Sequence, residues 1–273
     1  MKKKLLITMG CSLTEGVGCY DINTIPKRLL ETPKGEIKFE NFWQIYNLNL
    51  ERFHERGWPN RLGKKLGYDK VLNLGYGGSS TSGQVKNFID KYSSEMFTDW
   101  EVLIVFMLPE PTRISFYIDN QIRNYIPQQG PLPKAYIESI NNIKYDPLLE
   151  QIFYIKTMEE VCKNRNFNFI YFNHSLKLNI FLNKLYPSDN NLVQSLNYER
   201  PDVNDWDTNL DFFSPICLHP SEFGYEAISK FIYTDIYNQF PQYIGTPKDE
   251  IDWEWNGEPM NYTDLIESIE KII

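Results

Sequence analysis

The sequence has no long apolar run and no concentration of positive charge. Because no stretch approaches the roughly 18 consecutive apolar residues of a membrane-spanning helix, we expect no membrane partner. The net charge is −8, and no Lys/Arg cluster follows the first four residues, so we expect no nucleic-acid partner either.

Cysteines are few, phosphate-binding motifs are missing, and we expect no secretion signal. The four cysteines are too scattered for a CxxC metal site, which indicates either reduced thiols or two disulfide bridges. There is no Gly-Lys-Ser/Thr and no correctly spaced GxGxxG, which argues against a nucleotide cofactor. The apolar run near the start is shorter than the roughly 7–15 residues of a signal peptide. We therefore expect a cytoplasmic or virion-associated protein with neither a cofactor nor a bound metal.

What the chain does contain is the composition of an ordered globular protein, with 42% apolar and 15% aromatic residues. Short apolar runs alternate with helical signals, and this alternation predicts an open, mostly parallel α/β sheet. The predicted strands are residues 4–9, 70–73, 100–108 and 167–172, and the predicted helices are residues 57–67, 84–92, 148–164 and 222–239.

The alternating units span residues 1–240, which we expect to form one domain. Two segments without a clear period, about 17–56 and 114–147, interrupt the pattern and are interpreted as insertions. Residues 241–273 are interpreted as a C-terminal extension.

The first predicted strand ends at Gly10, and Ser12 follows at once. In α/β sheets ligands bind at the carboxyl ends of the strands, so this serine is well placed for chemistry. Residues 10–16, Gly-Cys-Ser-Leu-Thr-Glu-Gly, resemble the first motif block of the SGNH/GDSL hydrolases, with Cys11 in place of the family's Asp. The resemblance implies that Ser12 is the nucleophile. The alternative is a simple Gly-Ser turn.

Two later stretches resemble further blocks of the same family. Asn-Leu-Gly-Tyr-Gly-Gly at residues 73–78 is similar to the second block, which implies that the N–H groups of Gly78 and Ser12 hold an oxyanion. His219-Pro220, followed by Gly-Tyr at residues 224–225, is similar to the last block and implies that His219 is the base. The bare N–H groups of a glycine-rich turn also suit an oxyanion on physical grounds.

The chain departs from the family at two places. Ile216 stands where the family has its triad Asp, and Glu110 stands near the place of its oxyanion Asn. Three explanations remain open for the first departure: a Ser-His dyad, a degenerate site, or a carboxylate from another residue, namely Asp205, Asp207 or Asp211. Arg113 is interpreted either as a substrate-binding residue or as an ordinary surface arginine.

The resemblance implies a three-layer α/β/α, flavodoxin-like SGNH hydrolase fold. It also implies a serine esterase or acylhydrolase that acts on a small or carbohydrate-linked ester, such as an O-acetyl group. The abundant aromatic residues suit a sugar substrate. The alternative is a catalytically degenerate protein that keeps this fold for binding or structure, for example in a virion.

Overall fold

The structure, a computed structural model, describes residues 2–30, 39–118, 121–125, 146–173, 175–192, 214 and 219–257. Its strands are β1 (Lys3–Met9), β2 (Lys70–Asn73), β3 (Trp100–Leu108), β4 (Ile114–Ile118), β5 (Gln121–Tyr125), β6 (Asn168–Asn173) and β7 (Asp252–Trp255). Five of them form one sheet of parallel strands in the order β6–β3–β1–β2–β7. Strands β4 and β5 form a separate antiparallel pair.

Helices connect the strands and flank the sheet. They are α1 (Ser12–Glu15), α2 (Lys27–Leu30), α3 (Phe39–Leu48), α4 (Leu50–Arg56), α5 (Trp58–Leu66), α6 (Thr81–Lys91), α7 (Pro147–Arg165), α8 (Leu176–Leu185) and α9 (Glu222–Gln239). Among the described residues, no helix has the length and apolar character needed to cross a membrane.

The side chains of β1 alternate between two apolar cores, as the two-residue period of a strand requires. Leu5 and Ile7 pack in one core with residues of α6 and α7. Leu6 packs in the other core with residues of α5 and α9. The sheet is therefore the middle layer of a three-layer α/β/α, flavodoxin-like arrangement, which confirms the predicted fold class.

The register of the sheet brings the loops after β1, β2 and β3 to one edge. Thr8 is paired with Asn73 at the end of β2, and Met9 is paired with Phe106 near the end of β3. Because the strands are parallel, the residues that follow each of them meet at the carboxyl edge, where α/β proteins bind ligands.

Strand β7 has no counterpart among the strands that the sequence predicts. It pairs with β2 at the edge of the sheet, and its residues are mostly exposed, so it lacks the apolar run of a buried strand. The segment that precedes β7 is held in place by Asp69, whose carboxylate accepts a hydrogen bond from the Lys248 ammonium. That bond, together with one from the Lys4 N–H, lowers the pKa of Asp69.

Candidate active site

Ser12 and His219 lie in contact at the carboxyl edge of the sheet. Ser12 is the first residue of α1 and is only 7% exposed. His219 lies just before α9, and its Nε2 is 2.7 Å from the Ser12 Oγ, across 207 residues of chain. A serine hydroxyl within hydrogen-bond reach of an imidazole is the arrangement that activates a serine as a nucleophile.

The turn that presents Ser12 requires a glycine at position 10. Gly10 has φ +150°, and a Cβ there would lie 2.2 Å from the Thr14 Oγ1 and 2.7 Å from the Met107 carbonyl oxygen. The Gly10 carbonyl accepts a hydrogen bond of 2.8 Å from the Ser79 hydroxyl. This hydrogen bond holds the loop after β2 against the backbone just before the nucleophile.

The position of His219 depends on a close approach of two backbone segments. Gly18 has φ +121°, and a Cβ there would lie 2.1 Å from the Pro220 carbonyl oxygen and 3.0 Å from the His219 Cβ. The Tyr225 hydroxyl donates a 2.7 Å hydrogen bond to the Val17 carbonyl. The segment after α1 and the start of α9 are therefore packed together, which sets the distance between the serine and the histidine.

Asn73 organises the loop that leads to Gly78. Its Oδ1 accepts from the Gly75 N–H at 2.9 Å and from the Thr8 hydroxyl at 3.2 Å, and its Nδ2 donates to the Thr14 carbonyl at 2.9 Å. Gly78 has φ +76°, and its N–H donates to no acceptor within the described part of the chain. That N–H is thus free to meet a ligand oxygen.

A buried carboxylate lies at the end of the nucleophile helix. Glu15 is fully buried and accepts a hydrogen bond from the Tyr46 hydroxyl, and its Oε1 is 3.8 Å from the His54 Nε2. The His54 ring stacks on Trp255 at 4.2 Å, and the Trp255 Nε1 donates to the Gly75 carbonyl. These contacts connect α1 to the loop that carries Gly78. No sequence pattern indicates them, because the partners come from distant parts of the chain.

Comparisons of the chain with protein-family models, with curated proteins and with solved structures found no match. A functional assignment therefore depends on the geometry of the Ser12–His219 pair and on the motif resemblance.

The remaining predicted residues have different positions. Arg113 and Glu110 lie in the turn after β3, where the Arg113 N–H donates to the Glu110 carbonyl at 3.1 Å. Within the described ranges, neither side chain forms a hydrogen bond or ion pair with Ser12 or His219. The candidates for the triad acid lie outside the described residues: Asp205, Asp207 and Asp211. Ile216, which stands where the family has its Asp, lies outside them as well.

Proposed function

We propose that this protein is a serine ester hydrolase in which Ser12 is the nucleophile and His219 is the general base. The observation that carries the proposal is the 2.7 Å separation between the Ser12 Oγ and the His219 Nε2. The position of both residues at the carboxyl edge of a parallel sheet supports it, because that edge is the usual binding site of this fold class. The motif resemblance in three blocks supports it independently.

The chemistry follows the pattern of a serine acyl transfer. The neutral His219 imidazole takes the hydroxyl proton through Nε2 while the Ser12 Oγ attacks the ester carbonyl carbon. The tetrahedral intermediate collapses, the C–O bond to the alcohol breaks, and the imidazolium protonates the departing alkoxide. Water, deprotonated by the same imidazole, then attacks the acyl-enzyme and releases the carboxylic acid and Ser12.

The oxyanion of the tetrahedral intermediate is held by the N–H groups of Gly78 and Ser12. One such donor typically contributes about 10²–10³-fold to the rate. Glu110 stands near the position at which the SGNH family supplies a third donor, so we expect slower turnover than in enzymes with all three. The proposed substrate is a small or carbohydrate-linked ester.

Hydrolysis of p-nitrophenyl acetate tests this proposal. We expect the wild-type protein to hydrolyse it faster than buffer does and Ser12→Ala to return the rate to background. Ser229→Ala is the matched control, because Ser229 is also buried but lies within α9, where its hydroxyl donates to the Glu226 carbonyl. Equal rates for wild type and Ser12→Ala would favour the degenerate binding or structural protein instead.

A further inference from the structure

An open depression lies at the end of α9 that is far from the active site. Its volume is about 640 Å³, which is within the usual range for a ligand pocket. Helix α9 begins close to His219, and its 18 residues span about 27 Å before they end at Gln239, which lines the depression. The depression is therefore separate from the site at Ser12.

The turn that follows α8 forms one wall of the depression, through Ser188 and Asp189. Glu159 of α7 holds this turn, because its carboxylate accepts from the Ser188 hydroxyl at 2.6 Å and from the Asn190 Nδ2 at 3.2 Å. The Tyr186 hydroxyl donates to the same carboxylate. Since the turn is already fixed by these bonds, a ligand orders it little further, which favours affinity.

Four polar side chains of the depression have unused hydrogen-bonding groups. The side chains of Asn183, Asp189 and Gln239 make no hydrogen bond or ion pair within the described part of the chain. Asn191 is only 2% exposed, yet neither its Oδ1 nor its Nδ2 has a partner among the described residues. A buried amide without a partner is costly. A ligand hydroxyl both donates and accepts, so it matches an amide, which does the same.

The charge of the lining disfavours an ionic ligand. The described lining residues include no Lys, Arg or His, and the carbonyl end of α9, which carries partial negative charge, lies beside them. Both features disfavour an anion. A cation would find only the exposed Asp189 carboxylate in this part of the lining, and one exposed ion pair contributes little to affinity. We therefore expect an uncharged ligand.

Phe240 adds an apolar contact to the depression. Its half-buried ring stacks on Tyr243 with a centroid distance of 5.7 Å and packs against the core on the α5 and α9 side of the sheet, so its position is fixed. A sugar ring presents apolar C–H groups on one face and hydroxyls at its rim. A fixed aromatic ring beside several amides suits such a ligand.

We infer that this depression binds a neutral oligosaccharide. The Phe240 ring packs against the C–H face of one sugar, and the amides of Asn183, Asn191 and Gln239 exchange hydrogen bonds with its hydroxyls. This inference goes beyond the hydrolase proposal and does not depend on it, because neither Ser12 nor His219 lines the depression.

The binding test uses three neutral hexasaccharides, namely maltohexaose, cellohexaose and linear mannohexaose, in NMR titrations of the whole chain. We expect at least one of them to bind wild type and to bind Asn183→Ala/Gln239→Ala at least about 10-fold more weakly, the effect of two lost hydrogen bonds. The matched control is Lys184→Ala/Asn238→Ala, which changes the exposed neighbour of each residue outside the lining and should bind as wild type does.

Charged hexamers test the expected neutrality of the ligand. A galacturonate hexamer carries negative charge and a glucosamine hexamer carries positive charge, and neither should bind more tightly than the best neutral hexasaccharide. Tighter binding of either one would overturn the inference. Failure of all three neutral hexasaccharides to bind, or equal binding by wild type and Asn183→Ala/Gln239→Ala, would overturn it as well.

Hydrolysis of p-nitrophenyl acetate separates this inference from the hydrolase proposal. Asn183→Ala/Gln239→Ala should keep the wild-type rate, because both changes lie at helix ends away from Ser12. If wild type hydrolyses the ester but binds no neutral hexasaccharide, the sugar site is wrong and the hydrolase stands. If it hydrolyses no ester but binds a hexasaccharide that the double variant binds more weakly, the hydrolase is wrong and the sugar site stands.

Discussion

Replacement of His219 by alanine is expected to lower kcat for p-nitrophenyl acetate by about 10⁴–10⁶-fold. Without the imidazole, nothing at 2.7 Å from the Ser12 Oγ removes its proton during attack. In serine hydrolases the loss of either the nucleophile or its base has an effect of about this size, and a residual rate remains from binding and oxyanion stabilisation. His219→Gln should be equally inactive, because an amide keeps much of the side-chain volume but is no base.

The double variant Ser12→Ala/His219→Ala is the strictest test of this prediction. Because the two residues act as one unit, the double variant should be about as slow as each single variant. Circular dichroism and urea unfolding should show that all variants remain folded. Retention of more than about a tenth of the wild-type kcat in His219→Ala would contradict a role for His219 as the base.

Gly18→Ala is expected to lower kcat/KM by about 100-fold or more, although Gly18 has no role in the chemistry. A methyl group there would lie 2.1 Å from the Pro220 carbonyl oxygen, so the segment that carries His219 must move away. A displacement of about 1 Å in a catalytic group is enough for a 10²-fold loss. Steady-state kinetics on the folded protein measures this loss directly.

Gly67→Ala is the matched control for Gly18→Ala. Gly67 has φ +74°, and a Cβ there would lie 2.1 Å from the Thr246 carbonyl oxygen, so the strain is of the same kind. Gly67 precedes β2, at the amino edge of the sheet and away from Ser12. This variant should be less stable to urea but should keep kcat/KM near the wild-type value. Equal losses of kcat/KM in both variants would mean that Gly18 does not position His219.

Strands β1, β2, β3 and β6 and helices α5, α6, α7 and α9 could be predicted from the sequence because each carries its own signal, whereas α8 has no counterpart among the predicted helices. The bounds of β2 and β3 are the predicted ones, since both are apolar runs that pack in the two cores. Helix α6 begins at Thr81, three residues before the predicted start, because the Ser80 hydroxyl caps it by accepting from the Gly83 N–H. Strand β7 carries no such signal, because an exposed edge strand needs no apolar run.

The site could be predicted only in part. Ser12, Gly78 and His219 are indicated by motif blocks, but no periodicity pairs two side chains that are 207 residues apart. The contact of Gly18 with Pro220 depends on how a loop meets the start of a helix, which local sequence does not encode. The same is true of the buried Glu15, whose charge gives no hint of burial.

The role of Ser12 as an activated nucleophile is tested most directly by covalent labelling with a fluorophosphonate, followed by mass spectrometry of the peptides. An activated serine attacks the phosphorus and displaces fluoride, so the label reports nucleophilicity without a choice of substrate. We expect one adduct on the peptide that contains Ser12, no adduct in Ser12→Ala and much slower formation in His219→Ala. The absence of an adduct in wild type, or an adduct that still forms in Ser12→Ala, would contradict the role of Ser12 as the nucleophile.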